Sequence, residues 1–173
     1  MRNTIGSTEG KRGPMERIRD ELNFHWLRPG KAAGCARPAC EEEVDFLYQQ
    51  GILGILNVAD DILLPGWLNR GFTCEAVGIE DGHAPSRERA LRVLYLLSSW
   101  RQSDLCFAVH CGSGRGRTGT ILAFYLMAFE GMDFPEAYRE VRGVFPAYIE
   151  TSSQTKFLSE QAPYLIAEWN LGH

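Results

Sequence analysis

The sequence predicts an α/β fold, a three-layer sandwich in which helices flank a central, mainly parallel sheet. Short apolar runs of strand length come early in the chain and alternate with stretches of helical periodicity, and the later part of the chain is mainly helical. The chain has 173 residues, enough for one domain with a full core. Its 45% hydrophobic and 23% charged residues are ordinary for a globular protein.

The predicted elements begin at Asn23. Residues 1–22 are polar and densely charged, so we expect a flexible N-terminal extension with at most a short helical turn, followed by one domain over residues 23–173. Apolar runs bounded by Gly and Pro predict strands at 24–27, 32–35, 52–58, 72–77 and 105–110. Capping residues and helical spacing predict helices at 38–50, 86–102, 117–129, 133–145 and 151–169.

Composition disfavours several classes of protein. A net charge of −4 disfavours a nonspecific nucleic-acid binder. The five cysteines are odd in number and lack CxxC or paired-His spacing, so we expect reduced thiols and neither a disulfide framework nor a metal site. The longest apolar run, 121–129, is too short to span a bilayer, and we see no secretory signal. We therefore expect a cytoplasmic protein, with nuclear entry open if the cell is eukaryotic.

The chemistry is concentrated in the segment 110–119, His-Cys-Gly-Ser-Gly-Arg-Gly-Arg-Thr-Gly, which joins a predicted strand to a predicted helix. A cysteine at a helix N-terminus faces the positive end of the helix dipole, which favours the thiolate of Cys111. Glycines let successive amides form an anion-binding nest, and the fork of Arg117 can hold two phosphate oxygens. Thr118 can donate a hydrogen bond to the sulfur, and His110 can orient the loop from behind. The segment therefore predicts a nucleophile inside a phosphate-binding loop.

The segment 110–119 matches two other glycine-rich phosphate-binding motifs only poorly. The spacing Gly114-x-Gly116-x-x-Gly119 matches a dinucleotide-binding fingerprint, but it comes late in the chain and residues 134–145 look helical where a strand should follow. A Walker A loop needs Lys where Arg117 stands.

A phosphate ester also needs an acid to protonate its leaving group. Asp81 lies in a loop after the predicted strand 72–77, and the topology of parallel sheets brings that loop to the same sheet edge as Cys111. Glu80 is the competing acid. His83, in the same loop, is expected to be an ordinary loop residue.

The segment 110–119 resembles the signature of the cysteine-dependent protein tyrosine phosphatase superfamily. The stretch from Asn23 to Lys31, and later Ile149-Glu150-Thr151 with Gln154, narrow the resemblance to atypical dual-specificity phosphatases of the VHZ type. The resemblance covers residues 23 to about 165. It implies a phosphotyrosine protein phosphatase-like fold, a catalytic domain over 23–173, and no metal or other cofactor.

The resemblance also implies roles for individual residues. Cys111 would be the nucleophile, Arg117 the phosphate clamp, Thr118 an aid to thiolate departure, and Asp81 the general acid. The phosphate-binding residues implied are Gly112, Ser113, Gly114, Arg115, Gly116 and Arg117. His110, Glu80, Glu150 and Gln154 are supporting candidates.

The sequence departs from the family pattern before the acid, where Glu80 replaces the usual proline and leaves the choice between Glu80 and Asp81 open. Arg115 adds a second cation to the loop, as in relatives that act on phosphoinositides, although a solvated arginine at the loop rim is the simpler interpretation. Glu150 and Gln154 could position the hydrolytic water, and helix capping explains them equally well.

The residues thus predict a metal-independent hydrolase that acts on phosphomonoesters through a cysteinyl-phosphate intermediate. The expected partner is a phosphorylated protein or peptide carrying phosphotyrosine, with phosphoserine or phosphothreonine left open. One alternative is a phosphoinositide or other polyanion phosphatase. A phosphate-dependent binding module, from another class, has no need of the thiolate. An RNA 5′-phosphatase is weakly disfavoured by the acidic balance, and we expect neither nucleic acid nor a membrane span.

Overall fold

The central sheet contains five strands in the order β1-β2-β5-β3-β4. The computed structural model describes residues 13–62 and 70–172. Strand β1 runs antiparallel to β2, and the other three pairings are parallel, as the sequence predicts for a mainly parallel sheet. The strands are β1 His25–Arg28, β2 Ala32–Cys35, β3 Gly54–Asn57, β4 Thr73–Ala76 and β5 Phe107–His110.

Seven helices are described on the two faces of this sheet. They are α1 Pro14–Glu21, α2 Glu41–Gln49, α3 Arg87–Gln102, α4 Gly116–Glu130, α5 Phe134–Val144, α6 Ser152–Lys156 and α7 Ala162–Gly172. A π-helical turn, Phe157–Gln161, joins α6 to α7, where the sequence predicts one uninterrupted helix. Ser86, Asp133 and Thr151 cap α3, α5 and α6 through their side-chain oxygens, because each accepts a hydrogen bond from an amide in the first helical turn.

The sheet separates two apolar clusters because successive residues of a strand face opposite sides. In β5, Phe107 and Val109 belong to the larger cluster with α3, α4 and the C-terminal helices. Ala108 belongs to the smaller cluster, with residues of α2 and β3. The buried strand β5 therefore lies between two packed layers, which confirms the three-layer sandwich and fixes the position of the residue that follows it.

Helix α1 is where the structure differs from the expected N-terminal extension. Residues Pro14–Glu21 form a helix with Pro at its first turn, and α1 packs against α2. Ile18 contacts the smaller apolar cluster, and Leu22 is fully buried within it. Helical spacing of Met15, Ile18 and Leu22 gives α1 an apolar side, which outweighs its high charge. Residues 1–12, also part of the expected extension, lie outside the described residues.

Parallel register brings the carboxyl ends of three strands to one edge of the sheet. His110, the last residue of β5, is level with Cys35 of β2 and with Asn57 of β3. The loops that follow these strands therefore meet at this edge, together with the loop that follows β4. No helix in the described part of the chain has the length and apolarity needed to cross a membrane.

Candidate active site

Cys111 occupies the position between the most central strand, β5, and the following loop into helix α4. Its side chain is only 2% exposed. The hydroxyl of Thr118, on the first turn of α4, donates a hydrogen bond to Cys111 Sγ across 3.2 Å. This donor stabilises negative charge on the sulfur in an otherwise buried position. The structure thus brings together the thiol and the hydroxyl that the sequence pairs.

Neighbouring residues bind the carbonyl oxygens of the phosphate loop, which we define as residues 111–117. The backbone N–H of Arg37 donates to Gly112 O at 3.0 Å, and the Asn23 side-chain amide donates to Ser113 O at 3.0 Å. Because the C=O and N–H of one peptide point in opposite directions, each bond turns the following N–H to the other side of the loop. Outward carbonyls therefore leave inward amides, the arrangement that binds an anion.

Gly114 places the loop directly against the end of β2. Its φ is +71°, and a Cβ there would lie 2.5 Å from the carbonyl carbon of Cys35. Such a contact is shorter than packed atoms tolerate, so a larger residue would push the loop away from the sheet. The glycine at this position is therefore required both by backbone conformation and by space.

Arg117 connects the phosphate loop to two other loops at the same sheet edge. Its Nη1 donates to Ala59 O at 3.1 Å and to Ile79 O at 2.9 Å. Its Nη2 lies 2.9 Å from Asp81 Oδ1. The Nε atom is buried and has no hydrogen-bond partner among the described residues. The guanidinium is thus fixed on one edge and retains a buried donor, which suits a group that receives an oxyanion.

The structure distinguishes the two candidate acids by position. Asp81 contacts Arg117 through its carboxylate, although the side chain is 90% exposed. The Glu80 carboxylate instead lies 3.9 Å from His83 Nδ1, and 81% of its side chain is exposed. The ring of His83 donates through Nδ1 to the backbone oxygen of Asp81 at 2.9 Å, so its contact is with the loop backbone.

Glu150 reaches the phosphate loop from the segment before α6. Its Oε2 accepts a hydrogen bond from Gly116 N at 3.0 Å. Ile149, the preceding residue, has a φ of +62°, an uncommon conformation for a β-branched side chain. Arg142 of α5 stabilises this turn because its Nη1 donates to Tyr148 O at 2.9 Å and to Ile149 O at 3.3 Å. This conformation directs Glu150 toward the phosphate loop.

Gln154 is 1% exposed and holds the same segment from the other side. Its Oε1 accepts hydrogen bonds from Glu150 N at 2.8 Å and from Thr151 N at 3.2 Å. Its Nε2 would be 2.8 Å from a Cβ placed at Gly116, so the amide lies against the phosphate loop. Both supporting candidates from this segment are therefore adjacent to the loop.

His110 lies behind the loop and is nearly fully buried. Its Nδ1 lies 3.3 Å from the carbonyl oxygen of Cys111, to which it donates. Burial lowers the pKa of His110 to about 4, a shift that the hydrogen bond to Cys111 opposes only in part. The imidazole is therefore neutral at physiological pH and acts on the loop as a hydrogen-bond donor rather than as a charge.

Three residues of this site are missing from the sequence-based prediction: Asn23, Arg37 and Arg142. Asn23 and Arg37 contact residues distant in the chain, so no local pattern reveals them. Arg142 contacts residues only six and seven positions further on, but an arginine in the last turn of a helix does not by itself indicate such a bond. Asn23 alone leaves a trace in the sequence, because Asn tolerates the φ of +47° that it adopts before β1. Within the described residues, no group of three or more His, Cys, Asp or Glu side chains could hold a metal ion.

The known proteins to which this chain is similar are phosphatases. A family model described as "PTP-SAK: Swiss Army Knife protein, DSP-PTPase phosphatase domain" matches residues 21–167. Among curated proteins, the phosphatidylglycerophosphate phosphatase PTPMT1 of Arabidopsis thaliana is 28% identical over 123 residues, 68% of this chain. The matched chain spans only 36% of the length of that relative.

Solved structures share the fold. The active form of Tk-PTP is 29% identical, with a TM-score of 0.73 over 81% of this chain and 96% of its own. PTPMT1 in complex with PI(5)P is similar in fold, with a TM-score of 0.74 at 16% identity over 84% of this chain and 98% of its own. These comparisons confirm the superfamily and the α/β sandwich, and the finer VHZ type stays a prediction.

The buried imidazole predicts a pH dependence of stability. The ordinary pKa of histidine is 6.5, and that of folded His110 is about 4. Between these two pH values, His110 binds a proton in the unfolded chain but not in the folded protein. The free energy of unfolding should therefore fall as the pH falls through this window, by up to about 3 kcal/mol. Urea unfolding of the wild type and of His110→Gln at a series of pH values checks this. Equal slopes for the two proteins would contradict it, since His25 titrates in both.

Proposed function

The chain belongs to the PTP-SAK family of dual-specificity phosphatase domains, and on that premise we propose that it hydrolyses phosphomonoesters through a cysteinyl-phosphate intermediate. The buried Nε of Arg117, without a partner among the described residues and on the same loop as Cys111, supports this proposal most directly. A guanidinium fixed by two carbonyls, beside a thiol that accepts a hydrogen bond, provides an oxyanion site next to a nucleophile.

In the first step, the Cys111 thiolate attacks phosphorus in line with the leaving oxygen. A new S–P bond forms as the P–O bond breaks. Arg117 and the loop amides stabilise the three equatorial oxygens, over which the charge of the transferred group is spread. Protonated Asp81 gives its proton to the departing oxygen, so an alcohol or phenol leaves rather than an alkoxide. No metal is required, because the cation and the amides supply the positive field.

In the second step, water attacks the phosphorus of the cysteinyl-phosphate. Asp81, now a carboxylate, takes the proton from the water, and the S–P bond breaks to release inorganic phosphate. The Thr118 hydroxyl, 3.2 Å from the sulfur, stabilises the departing thiolate. Glu150 and Gln154 border the phosphate loop and are suited to orient this water through their side-chain oxygen and nitrogen atoms.

The proposed substrate is a phosphorylated protein or peptide, with the family as its support. A phosphoinositide is a second candidate. It is favoured by Arg115, an exposed cation on the loop rim, and by the names of relatives that act on or bind phosphatidyl lipids. A phosphate-dependent binding module is disfavoured, because the Thr118–Cys111 hydrogen bond stabilises a thiolate that pure binding would not use.

Replacing the nucleophile tests the reaction. We expect Cys111→Ser to lower turnover of p-nitrophenyl phosphate by roughly 10⁴-fold or more, because a serine hydroxyl is not ionised near neutral pH. The matched control is Cys106→Ser, which removes a thiol just before β5, at the opposite end of the sheet. Steady-state kinetics of both variants is the measurement. Full activity of Cys111→Ser would reject the covalent mechanism.

The acid is tested by a pair of neighbouring substitutions. We expect Asp81→Asn to slow turnover of an aryl phosphate by roughly 10²–10⁴-fold, because the amide cannot give a proton to the leaving oxygen. Glu80→Gln removes the same charge one residue earlier and should change turnover little. The pH profile of kcat should lose one limb only in Asp81→Asn. A slow Glu80→Gln beside a normal Asp81→Asn would reverse the assignment.

Substrate class is tested by the loop cation. If phosphoinositides are substrates, we expect Arg115→Ala to lower kcat/KM on a phosphoinositide by roughly tenfold, while a phosphotyrosine peptide is affected less, because only the lipid headgroup carries further phosphates for a second cation. Lys31→Ala, at the amino end of β2, removes the same charge away from the site. An equal response of both substrates to Arg115→Ala would leave the arginine without a role in selection.

A further inference from the structure

The acid loop, which we define as residues 79–84, is attached to the rest of the protein at five described points. At its start, the amide of Ile79 donates to Val58 O at 3.1 Å. Arg117 Nη1 donates to Ile79 O, and Arg117 Nη2 contacts Asp81. The Thr151 hydroxyl donates to Gly82 O at 2.7 Å. The amide of Ala84 donates to Ser153 Oγ across a longer 3.3 Å. Two of the five anchors therefore come from Arg117, and two come from the N-cap and the first turn of α6.

We propose that Thr151 is a positioning residue, which holds the acid loop so that Asp81 faces the phosphate loop. This inference rests on the proposed function, because it concerns the delivery of a proton by Asp81. Thr151 itself touches no reacting atom in this arrangement. It acts through the carbonyl of Gly82, the residue directly after the acid.

The anchor from Thr151 is independent of substrate, whereas the anchor at Asp81 is not. A phosphate bound at Arg117 competes with the Asp81 carboxylate for the same Nη2 donor. The Asp81 side chain is also 90% exposed, and ion pairs at that exposure hold a side chain weakly. The bonds at Ile79 fix only the start of the loop, so the part that carries Asp81 needs an attachment that persists once substrate is bound. Thr151 provides it because its bond is to the backbone and involves no charge.

The capping role of Thr151 fixes the direction of its proton. Its Oγ1 accepts a hydrogen bond from Gln154 N at 3.2 Å, as an N-cap of α6. A hydroxyl has one proton, so with the acceptor side engaged the proton is directed to Gly82 O. Gly82 has a φ of +73°, which turns its carbonyl to meet this hydroxyl and which a residue with a side chain would adopt only with strain.

Adjacent residues of the same turn contact both catalytic loops. Glu150 accepts from Gly116 N of the phosphate loop, and Thr151 donates to Gly82 O of the acid loop. Gln154 fixes the spacing of the two, since its Oε1 accepts from both backbone N–H groups. The start of α6 thus sets the distance between the nucleophile loop and the acid.

Three substitutions at Thr151 distinguish the hydrogen bond that its hydroxyl donates to Gly82 from the one that it accepts from Gln154. Thr151→Val removes both, Thr151→Asp keeps the cap but has no proton to donate at neutral pH, and Thr151→Ser keeps both. The readout is kcat on two substrates measured with the same preparation. Phenyl phosphate has a strongly basic leaving group that depends on the acid, and p-nitrophenyl phosphate has a weakly basic one that depends on it less.

We expect Thr151→Val and Thr151→Asp to lower kcat on phenyl phosphate by roughly 10–100-fold and on p-nitrophenyl phosphate by less than about threefold. Thr151→Ser should keep kcat on both substrates within about twofold of the wild type. In an Asp81→Asn background, Thr151→Val should cause no further loss on phenyl phosphate, because the two residues act on one proton transfer. The ratio of the two substrates is unaffected by the fraction of enzyme that folds.

Equal losses on the two substrates, or losses additive with Asp81→Asn, would show a general structural role and overturn the inference. So would normal kinetics of Thr151→Val beside a slow Asp81→Asn, an outcome that leaves the proposed function intact. If Asp81→Asn itself turns over phenyl phosphate normally, the acid is misassigned, and both the mechanism and the role of Thr151 fail together.

Discussion

One guanidinium group holds three separate segments of the chain in register. Arg117 lies in the first turn of helix α4, yet its contacts go to the backbone after β3 and to the backbone and carboxylate after β4. The two contacts with carbonyl oxygens are buried or partly buried, where hydrogen bonds to a charge are strong and an unpaired donor is costly. The positions of the phosphate loop and of the loop that carries Asp81 therefore depend on the same side chain that is suited to receive a phosphate. Substrate binding and alignment of the acid cannot be independent in such a site.

The C-terminal third of the chain is as much a part of this site as the loop that carries the cysteine. Helix α5 supplies Arg142, which fixes the turn at Ile149, and that turn delivers Glu150 to the phosphate loop. The family signature lies wholly within one strand–loop–helix unit. Its supporting contacts come from segments elsewhere in the chain that pack against this unit.

The sequence predicts the parts of this structure that follow from local patterns. The roles proposed for Cys111 and Arg117 follow from their spacing, because a strand end, glycines and a helix start lie in sequence around them. Asp81 follows from sheet topology. The hydrogen bonds from Asn23 and Arg37 depend on long-range packing, which no local spacing encodes. Arg142 acts over only six and seven residues, on a turn whose left-handed residue, Ile149, has no sequence signal. Helix α1 is similar: its charge suggests solvent, and only its packing against α2 favours order. The π-helical turn after α6 likewise has no simple sequence signal.

The left-handed backbone conformation of Ile149 limits how the sequence of this protein can evolve. A left-handed φ in a buried, β-branched residue costs of order 1–3 kcal/mol, which the surrounding contacts must offset. Glycine would relieve that strain but would leave a hole where the isoleucine side chain packs, so neither residue is optimal for both demands. Substitutions that stabilise the rest of the domain would offset the cost of a poorer residue at position 149. More residues would then be tolerated there, and the sequence around the site could diverge further.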